Sequence, residues 1–450
     1  MKTDLALKYD RRVPRYTSYP TVPHFSAAVD AAAYGRWLED LAPGSEVSLY
    51  AHVPFCAELC WFCGCHTKIV RRYSPVRDYL AVLGKEIDLV ADRLPGRLRA
   101  RRVHVGGGSP STVKPDDWRR LIDRLRAAFD VTPDAEVAVE LDPRTTSADF
   151  VKALAESGVN RASLGVQDCH PTVQEAVNRI QPSPLTARLV GWLRGRGIEG
   201  INLDLMYGLP HQTVDHVDET VEFALSLRPD RVAVFGYAHV PWMKRHQRLI
   251  DESRLPTAEE RLRQFERVAA RLTGRGYVPI GLDHFALPTD GLARALAAGR
   301  LRRNFQGYTD DAATALIGFG ASSISALPSG YAQNAAPNRD YTRTVEAGIL
   351  PVVKGVAVDA DDRLRREVIE RLMCELTVDV GAICRAHGAS EGALQGDLDG
   401  LAPLAIDGLV AVEGSRLTVP EDARPLVRVV AAAFDRYLPK AGRPAHSRAV

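Results

Sequence analysis

Between residues 46 and 325 the chain keeps repeating one pattern: a short run in which apolar and polar side chains take turns, then a longer stretch in which apolar residues return every three or four positions. Period two marks a strand with one greasy face, and a period near 3.6 marks an amphipathic helix. The short runs predict strands at 46–53, 101–106, 136–141, 161–167, 200–206 and 231–237, with another near 277–282. Val217, Val221, Ala224 and Leu225 recur at helical spacing before Pro229, and Leu262, Phe265, Ala269 and Leu272 do so before Gly276. Phe150, Val151 and Leu154 make a shorter helix, with Gly158 placed as its C-terminal cap. Strands alternating with helices predict an α/β fold of parallel strands joined by crossovers.

The strand faces say more. Val47, Leu49, Ala51 and Val53 oppose Glu46, Ser48, Tyr50 and His52, while Ala162, Leu164 and Val166 oppose Arg161, Ser163, Gly165 and Gln167. Ile201, Leu203 and Leu205 likewise oppose Asn202, Asp204 and Met206. A parallel sheet covered by helices on both faces reads apolar throughout. A polar face therefore predicts that the sheet curls around a wet lumen, as a barrel or partial barrel. An antiparallel sheet with one solvated face would alternate in the same way, and the intervening helices argue against it. Tyr50, Glu140, Gln167 and Asp204 fall at or near the carboxyl ends of their strands, where such folds place their sites.

Three regions follow. Residues 1–45 are read as an N-terminal extension packing on the barrel, with PRYTSYPT (14–21) as ordered loop. Residues 46–354 are the barrel and its C-terminal elaboration, and 355–450 a small, mainly helical C-terminal domain with helices at 363–376 and 425–437 and a fraying end at 441–450.

Lys and Arg total 58 against 56 Asp and Glu, so a net charge of +2 offers no global field for nucleic acid or a membrane surface. Apolar residues make up 46% of the chain, an ordinary globular value. No apolar run approaches the roughly 18 residues of a membrane span, and the first residues fit neither a signal nor an anchor. A soluble, cytoplasmic protein is expected.

Of seven cysteines, Cys169, Cys374 and Cys384 are scattered and read as small packing residues. Cys56, Cys60, Cys63 and Cys65 crowd within ten residues, too close for a useful disulfide framework. Metal or cluster binding remains. Structural zinc sites combine two separated pairs, and no second pair is present. The spacing C-x3-C-x2-C, in the loop after the first strand, instead suits an iron-sulfur cluster held by three thiolates, with one iron left for another molecule. Gly106, Gly107 and Gly108 end the second strand and would let backbone approach a ligand closely. They match neither phosphate-loop nor dinucleotide patterns.

C-x3-C-x-F-C, with Phe62 as the aromatic, resembles the radical S-adenosylmethionine superfamily. The fourth cysteine, together with PRYTSYPT, GGGSPS, ELDPR, GVQD, NLDLMYGLP and NFQGYT in this order, is similar to the oxygen-independent coproporphyrinogen III oxidases over nearly the whole chain. The resemblance implies a partial (β/α)6-type barrel carrying a 4Fe-4S cluster on Cys56, Cys60 and Cys63, the unique iron chelated by S-adenosylmethionine. It implies that Cys65 belongs to the catalytic site without binding the cluster. It further implies that Tyr50, Phe62, Gly107, Gly108, Ser109, Glu140, Gln167, Arg179, Asp204, Ala238 and Ile324 line one or two S-adenosylmethionine sites, with Asp204 accepting from ribose hydroxyls and Arg179 pairing a carboxylate.

The implied reaction belongs to heme and porphyrin biosynthesis. A 5'-deoxyadenosyl radical takes hydrogen from a propionate of coproporphyrinogen III, and loss of carbon dioxide and an electron leaves a vinyl group. Two rounds give protoporphyrinogen IX. An external one-electron donor, an electron acceptor and a monomeric protein are implied with it. Four substrate carboxylates call for basic groups, and Lys68, Arg71, Arg72, Arg302 and Arg303 are candidates. The loop HTKIVRR after Cys65 is longer than in some relatives and would adjust that wall. Heme chaperones share the core but typically lack the fourth cysteine and the PRYTSYPT extension, so Cys65 and residues 14–21 favour the oxidase. A related radical enzyme acting on another tetrapyrrole or transferring a methyl group is the third reading.

Overall fold

The computed structural model describes Leu5 and residues 8–438, so the fraying expected at 441–450 lies outside the described residues. Among them, twelve strands form one sheet. In chain order these are β1 (Glu46–Val53), β2 (Arg99–Gly107), β3 (Asp130–Leu141), β4 (Arg161–Gln167), β5 (Gly200–Tyr207), β6 (Arg231–Gly236), β7 (Val278–Ile280), β8 (His284–Ala286), β9 (Ala315–Phe319), β10 (Ile324–Leu327), β11 (Gly330–Asn334) and β12 (Val352–Ala357). Their order across the sheet is β12-β11-β10-β9-β1-β2-β3-β4-β5-β6-β8-β7.

The strands from β1 to β6 pair in parallel, each with its successor, as the alternation predicts. A further parallel strand, β9, adds on the other side of β1. Its sequence ALIGF is buried at every position, so it has no period-two signal to read. The strand expected near 277–282 is two short ones, β7 and β8, forming an antiparallel edge. At the opposite edge β10, β11 and β12 also run antiparallel.

Helices Ser74–Ala91, Pro115–Ala128, Ala148–Glu156, Ser183–Arg194, Val214–Ser226 and Ala258–Gly274 cover the apolar face. Val47, Leu49, Val105, Val139, Leu164 and Leu203 join Leu83, Ile87, Leu121, Leu154, Leu193 and Val221 in one core. Each such side chain contributes about 1.5–3 kcal/mol on burial.

The other face is ionic at its floor. Arg102 bonds Glu136 at 2.6 Å and Asp310 at 2.5 Å, Arg161 bonds Glu136 at 2.8 Å, and Arg231 bonds Asp290 at 2.7 Å. Ser48 donates to Asp311. Burial alone would lift the Glu136 carboxyl, but Arg161, Arg231 and Arg102 hold it down at about 2. These pairs link the amino-terminal halves of β2, β4 and β6 and the middle of β3 to residues 290 and 310–311, closing the lumen floor and leaving the carboxyl ends open.

The N-terminal extension, expected to pack on the barrel, is divided between two cores. Val29, Ala33, Tyr34, Leu38 and Leu41 do join the barrel core. Tyr9, Val13, Tyr16 and Tyr19 instead pack with Leu372, Val427 and Phe434 of the C-terminal region. The reason is the tyrosines: each buries its ring there and finds a polar partner for its hydroxyl. Tyr9 donates to Asp407, Tyr16 donates to Asp435 at 3.1 Å, and Tyr19 accepts the Arg436 backbone N–H at 3.1 Å. The C-terminal helix Ala360–Glu375 forms as expected, whereas the helix read at 425–437 is broken into Glu421–Leu426, Val427–Ala431 and Ala432–Phe434. Only Val427–Ala431 is α-helical, and Pro425, which has no N–H to donate, lies in the tighter turn before it. A small sheet, Thr377–Asp379 with Ala411–Glu413 and Arg416–Thr418, completes this region. No helix among the described residues is long and apolar enough to cross a membrane.

Candidate functional site

The cysteine loop leaves the carboxyl end of β1. Phe55–Cys56 pairs in parallel with Lys68–Ile69, which clamps the two ends of the loop together. Distant residues hold what lies between. The Trp61 N–H donates to Val177 O at 2.9 Å, Asn178 Nδ2 to Leu59 O at 2.8 Å, and Gln247 Nε2 to Phe62 O at 3.0 Å. His246 Nε2 lies 2.8 Å from Cys63 O, and Lys244 Nζ donates to Cys65 O at 3.0 Å. Cys60 is buried, Cys56 and Cys63 are half-buried and Cys65 is exposed.

Each of the three expected ligand sulfurs has a donor. Cys56 Sγ accepts from Thr67 Oγ1 at 3.0 Å, and Cys63 Sγ accepts from the Cys65 N–H at 3.4 Å. Cys60 Sγ accepts from both Arg144 Nη2 and Arg179 Nη1 at 3.4 Å. Burial, with Cys63 and Cys60 adding to it, pushes the Cys56 thiol up to about 11. A hydrogen bond from the Cys65 thiol brings Cys63 down to about 6, with Lys244 and His246 helping. The sulfurs thus feel one another's charge. Among the described residues no three His, Cys, Asp or Glu side chains converge as one ion would need. Three sulfurs spread over one loop, with two guanidinium groups on the buried one, fit an anionic polynuclear cluster better than a zinc tetrahedron.

The glycine run sits directly behind this loop, and its need for glycine comes from the chain itself. A Cβ on Gly106 would lie 2.5 Å from the Glu140 carboxyl, one on Gly107 2.5 Å from the His52 ring, and one on Gly108 2.6 Å from Phe55 O. The Gly107 N–H donates to Glu140 at 2.9 Å, Gly108 to Val53 O at 2.9 Å, and Ser109 to Phe55 O at 2.7 Å. The run therefore seats the cysteine loop against β2. The Ser109 hydroxyl is buried 2.6 Å from that of Ser111.

Above the ionic floor is a cavity of about 670 Å3. Phe62, Cys63, Cys65, Glu140, Gln167, Asp204 and Ala238 line it. Burial lifts the Glu140 carboxyl, but a 3.0 Å contact with His104 Nε2 and the Gly107 N–H bring it below its ordinary value. Asp204, accepting from Ser163 at 3.0 Å and Asn202 at 2.8 Å, is pushed up to about 6 by burial and by the Glu140 charge. Gln167 closes β4 in the left-handed region at φ 68°.

Tyr50, Cys56, Cys60, Gly107, Gly108 and Ser109 stand in the wall behind this lining. Tyr50 Oη lies 3.0 Å from His52 Nδ1. Two of the expected residues are placed differently. Arg179, expected to pair a ligand carboxylate through both arms, is buried and donates to Gly165 O at 2.7 Å as well as to Cys60. Ile324, expected beside S-adenosylmethionine, opens β10 and packs against the cluster of Phe25, Tyr331 and Val358, without joining the lining of the cavity.

Of the basic candidates, Lys68, Arg71 and Arg72 are exposed, Arg302 lies 3.4 Å from Glu370, and Arg303 stacks over Tyr308 at 4.3 Å. The arginines that line the lumen are Arg15, Arg102, Arg161 and Arg231. Sequence reasoning missed Arg144 as a partner of Cys60, although it ends the ELDPR motif, and missed the loop anchors Lys244, His246 and Gln247, which lie in a stretch without periodicity.

Residues 50–224 match the model of the radical SAM superfamily. Over its whole length the chain is similar to the oxygen-independent coproporphyrinogen III oxidase of Bradyrhizobium diazoefficiens, 52% identical over 451 residues and covering 100% of each. It is 38% identical to that of Pseudomonas aeruginosa, covering 99% of this chain and 98% of the relative. The solved coproporphyrinogen III oxidase of Escherichia coli, described as a radical SAM enzyme, superposes with a TM-score of 0.90 at 38% identity, covering 95% of this chain and 100% of that one.

Proposed function

The chain belongs to the oxygen-independent coproporphyrinogen III oxidases, and from that premise we propose how its own residues divide the work. The reaction is the oxidative decarboxylation of two propionates of coproporphyrinogen III to vinyl groups. The cofactors are a 4Fe-4S cluster and S-adenosylmethionine, which together supply the 5'-deoxyadenosyl radical that takes hydrogen from a propionate.

Cys56, Cys60 and Cys63 are the cluster ligands in this reading, and Arg144 and Arg179 offset the negative charge that would gather at Cys60. Glu140 and Asp204 present carboxylate oxygens to the amino and hydroxyl groups of S-adenosylmethionine, with Phe62, Gln167 and Ala238 shaping the walls around it. Gly107, Gly108 and Ser109 hold the loop in place, and Tyr50 supports it through His52. Cys65, whose thiol is tied to Cys63 and which lines the cavity, would give or hold a proton beside the reacting propionate. Arg179 acts through Cys60, and Ile324 shapes the outer sheet.

The exposed side of the cysteine loop would receive electrons singly from an external donor, and an external acceptor would take the electron released with carbon dioxide. A monomer in the cytoplasm, divided at about 1–45, 46–354 and 355–450, completes the reading.

The observation that carries it is three sulfurs on the exit of β1 with two arginines aimed at the buried one. Anaerobic reconstitution with iron and sulfide, then reductant, S-adenosylmethionine and coproporphyrinogen III, tests it. Protoporphyrinogen IX formed together with 5'-deoxyadenosine is expected, and a Cys60→Ala variant should lose both. Stoichiometric heme binding with no vinyl product would favour the chaperone reading, and full turnover by Cys60→Ala would remove the ligand assignment.

A further inference from the structure

Arg15, Gly236, Tyr237, Ala238 and Val240 face the lumen on one side and a second cavity, of about 350 Å3, on the other. The second cavity is closed by the N-terminal arm, the helix Ala258–Gly274, and Pro425 and Arg428 of the C-terminal region. Four guanidinium groups meet there, from Arg12, Arg15, Arg261 and Arg428, against the two carboxylates of Asp10 and Asp283. Asp283 is already tied to the His284 ring at 2.7 Å. Arg428 is only 3% exposed.

Three of these arginines are fixed by main-chain carbonyls, Arg428 Nη1 donating to Val13 O at 3.2 Å. Arg15 Nη2 donates to Gly236 O at 2.9 Å, and Arg261 Nη1 donates to Tyr237 O at 2.8 Å. The Arg261 Nε is buried with no hydrogen-bond partner. Burial, and the nearby charge of Arg15, lower the basicity of Arg261 and bring Arg428 down to about 9, as expected of cations pressed together. The MYGLP motif makes the room. A Cβ on Gly208, at φ 83°, would lie 2.8 Å from Arg261 Nη1, and one on Gly236 would lie 2.8 Å from Tyr207 Oη. One buried and two half-buried guanidinium groups, with Arg12 at the exposed mouth, outnumber the two carboxylates, and cations in such excess favour an anion. Leu262 and Phe265 give the same cavity an apolar wall, which suits an alkyl arm ending in a carboxylate.

We propose that this pocket seats a propionate carboxylate of the tetrapyrrole, one of those the reaction leaves intact, while the macrocycle occupies the adjoining lumen. The proposal rests on the substrate reading given above and adds the residues that orient the substrate. A guanidinium fork takes a carboxylate through two parallel hydrogen bonds, and holding a retained propionate would decide which propionates point toward the cysteine loop.

The test is a fluorescence titration of the anaerobically purified full-length protein with coproporphyrin III, a stable tetracarboxylate, and with its tetramethyl ester. Wild type, R261Q and R12Q are compared. Arg12 lies exposed over the Trp242 ring at 4.8 Å, so R12Q serves where R261Q does not fold. The free acid should bind R261Q at least roughly tenfold more weakly than wild type and R12Q several-fold more weakly, with ester affinity equal in all three. Unchanged affinity for the acid, or equal weakening of acid and ester, would overturn the proposal. Protection by inorganic phosphate alone, with coproporphyrin binding untouched, would assign the pocket to a free anion instead. Failure of the substrate reading looks different: wild type would then form no vinyl product and would bind neither tetrapyrrole.

Discussion

Arg144 Nη2 is shared between Cys60 Sγ at 3.4 Å and Asp142 Oδ2 at 2.7 Å, so a half-buried ion pair is anchored on the sulfur expected to carry an iron. A cationic donor on a ligating sulfur stabilises the more negative, reduced form of a cluster. R144Q keeps a hydrogen-bonding group and removes the charge. Its cluster should therefore show a midpoint potential lower by on the order of tens of millivolts, with slower reduction at a fixed dithionite concentration. Redox titration followed by electron paramagnetic resonance measures this, and an unchanged potential would leave Arg144 a purely structural role.

Gly108 faces Phe55 O and N at 2.6 and 2.7 Å from the position of an added Cβ. Both atoms belong to the backbone one residue before Cys56 and cannot swing aside as a side chain would. G108A should push Phe55–Cys56 away from β2 and cost about 1–3 kcal/mol. Iron and sulfide per chain after reconstitution should fall well below wild type, while the far-UV circular dichroism of the barrel is kept. Full iron loading in G108A would show that the loop has slack the packing does not suggest.

How much of this was readable before the fold was known depends on which residues advertise a period. β4 and β5 stand out because Ala162, Leu164, Ile201 and Leu203 alternate with polar lumen residues. β9 is buried throughout and silent. The expected cluster ligands, Cys56, Cys60 and Cys63, were legible because such chemistry needs a short fixed spacing. Their supports were not: Arg144 and Lys244 come from loops, His246 and Gln247 from the single short turn Arg245–Leu249, and nothing local records which carbonyl or sulfur such a side chain will meet. Gly106–Gly108 stood out in the sequence as a place of close backbone approach, and within the chain Glu140, His52 and Phe55 do come close to them. The pairing of Arg102, Glu136 and Arg161 likewise follows from strand register, which single charges in a sequence do not disclose.

Asp204 gives the lumen a pH signature. Burial and the Glu140 charge lift its carboxyl from 3.8 to about 6. Between these values the folded chain keeps a proton that the unfolded chain has released, so stability falls as pH rises through this window and the full penalty stands above it. D204N carries no such penalty. Measured by urea unfolding, D204N should gain on wild type by about 2 kcal/mol between roughly pH 4 and pH 6.5, after allowing for partial exposure of the group. A constant difference across that range would mean that Asp204 titrates as an ordinary carboxylate.

Gln247 is the buried anchor of the cysteine loop, and its loss should be felt at the metal. Its amide donates to Phe62 O at 3.0 Å and to Ala238 O at 3.2 Å, and accepts the Val240 N–H at 2.6 Å, with the residue only 1% exposed. Q247L fits the space but leaves three backbone groups without that partner, at a cost of about 1–3 kcal/mol for each one that stays buried and unpaired. Phe62 lies between Cys60 and Cys63, so the strain falls on the ligand spacing. Q247L should reconstitute with less iron and bleach faster in air than wild type. K244A loses the bond from a half-buried ammonium to Cys65 O and that ammonium's pull on the Cys63 sulfur, but leaves the buried backbone pairing of the loop intact, so its bleaching rate should rise far less than that of Q247L. The contrast between the two variants, read from the decay of cluster absorbance, separates an anchor buried in the protein from a half-buried contact at the cavity wall. Equal decay rates would place the rigidity of the loop elsewhere, in the pairing of Phe55–Cys56 with Lys68–Ile69.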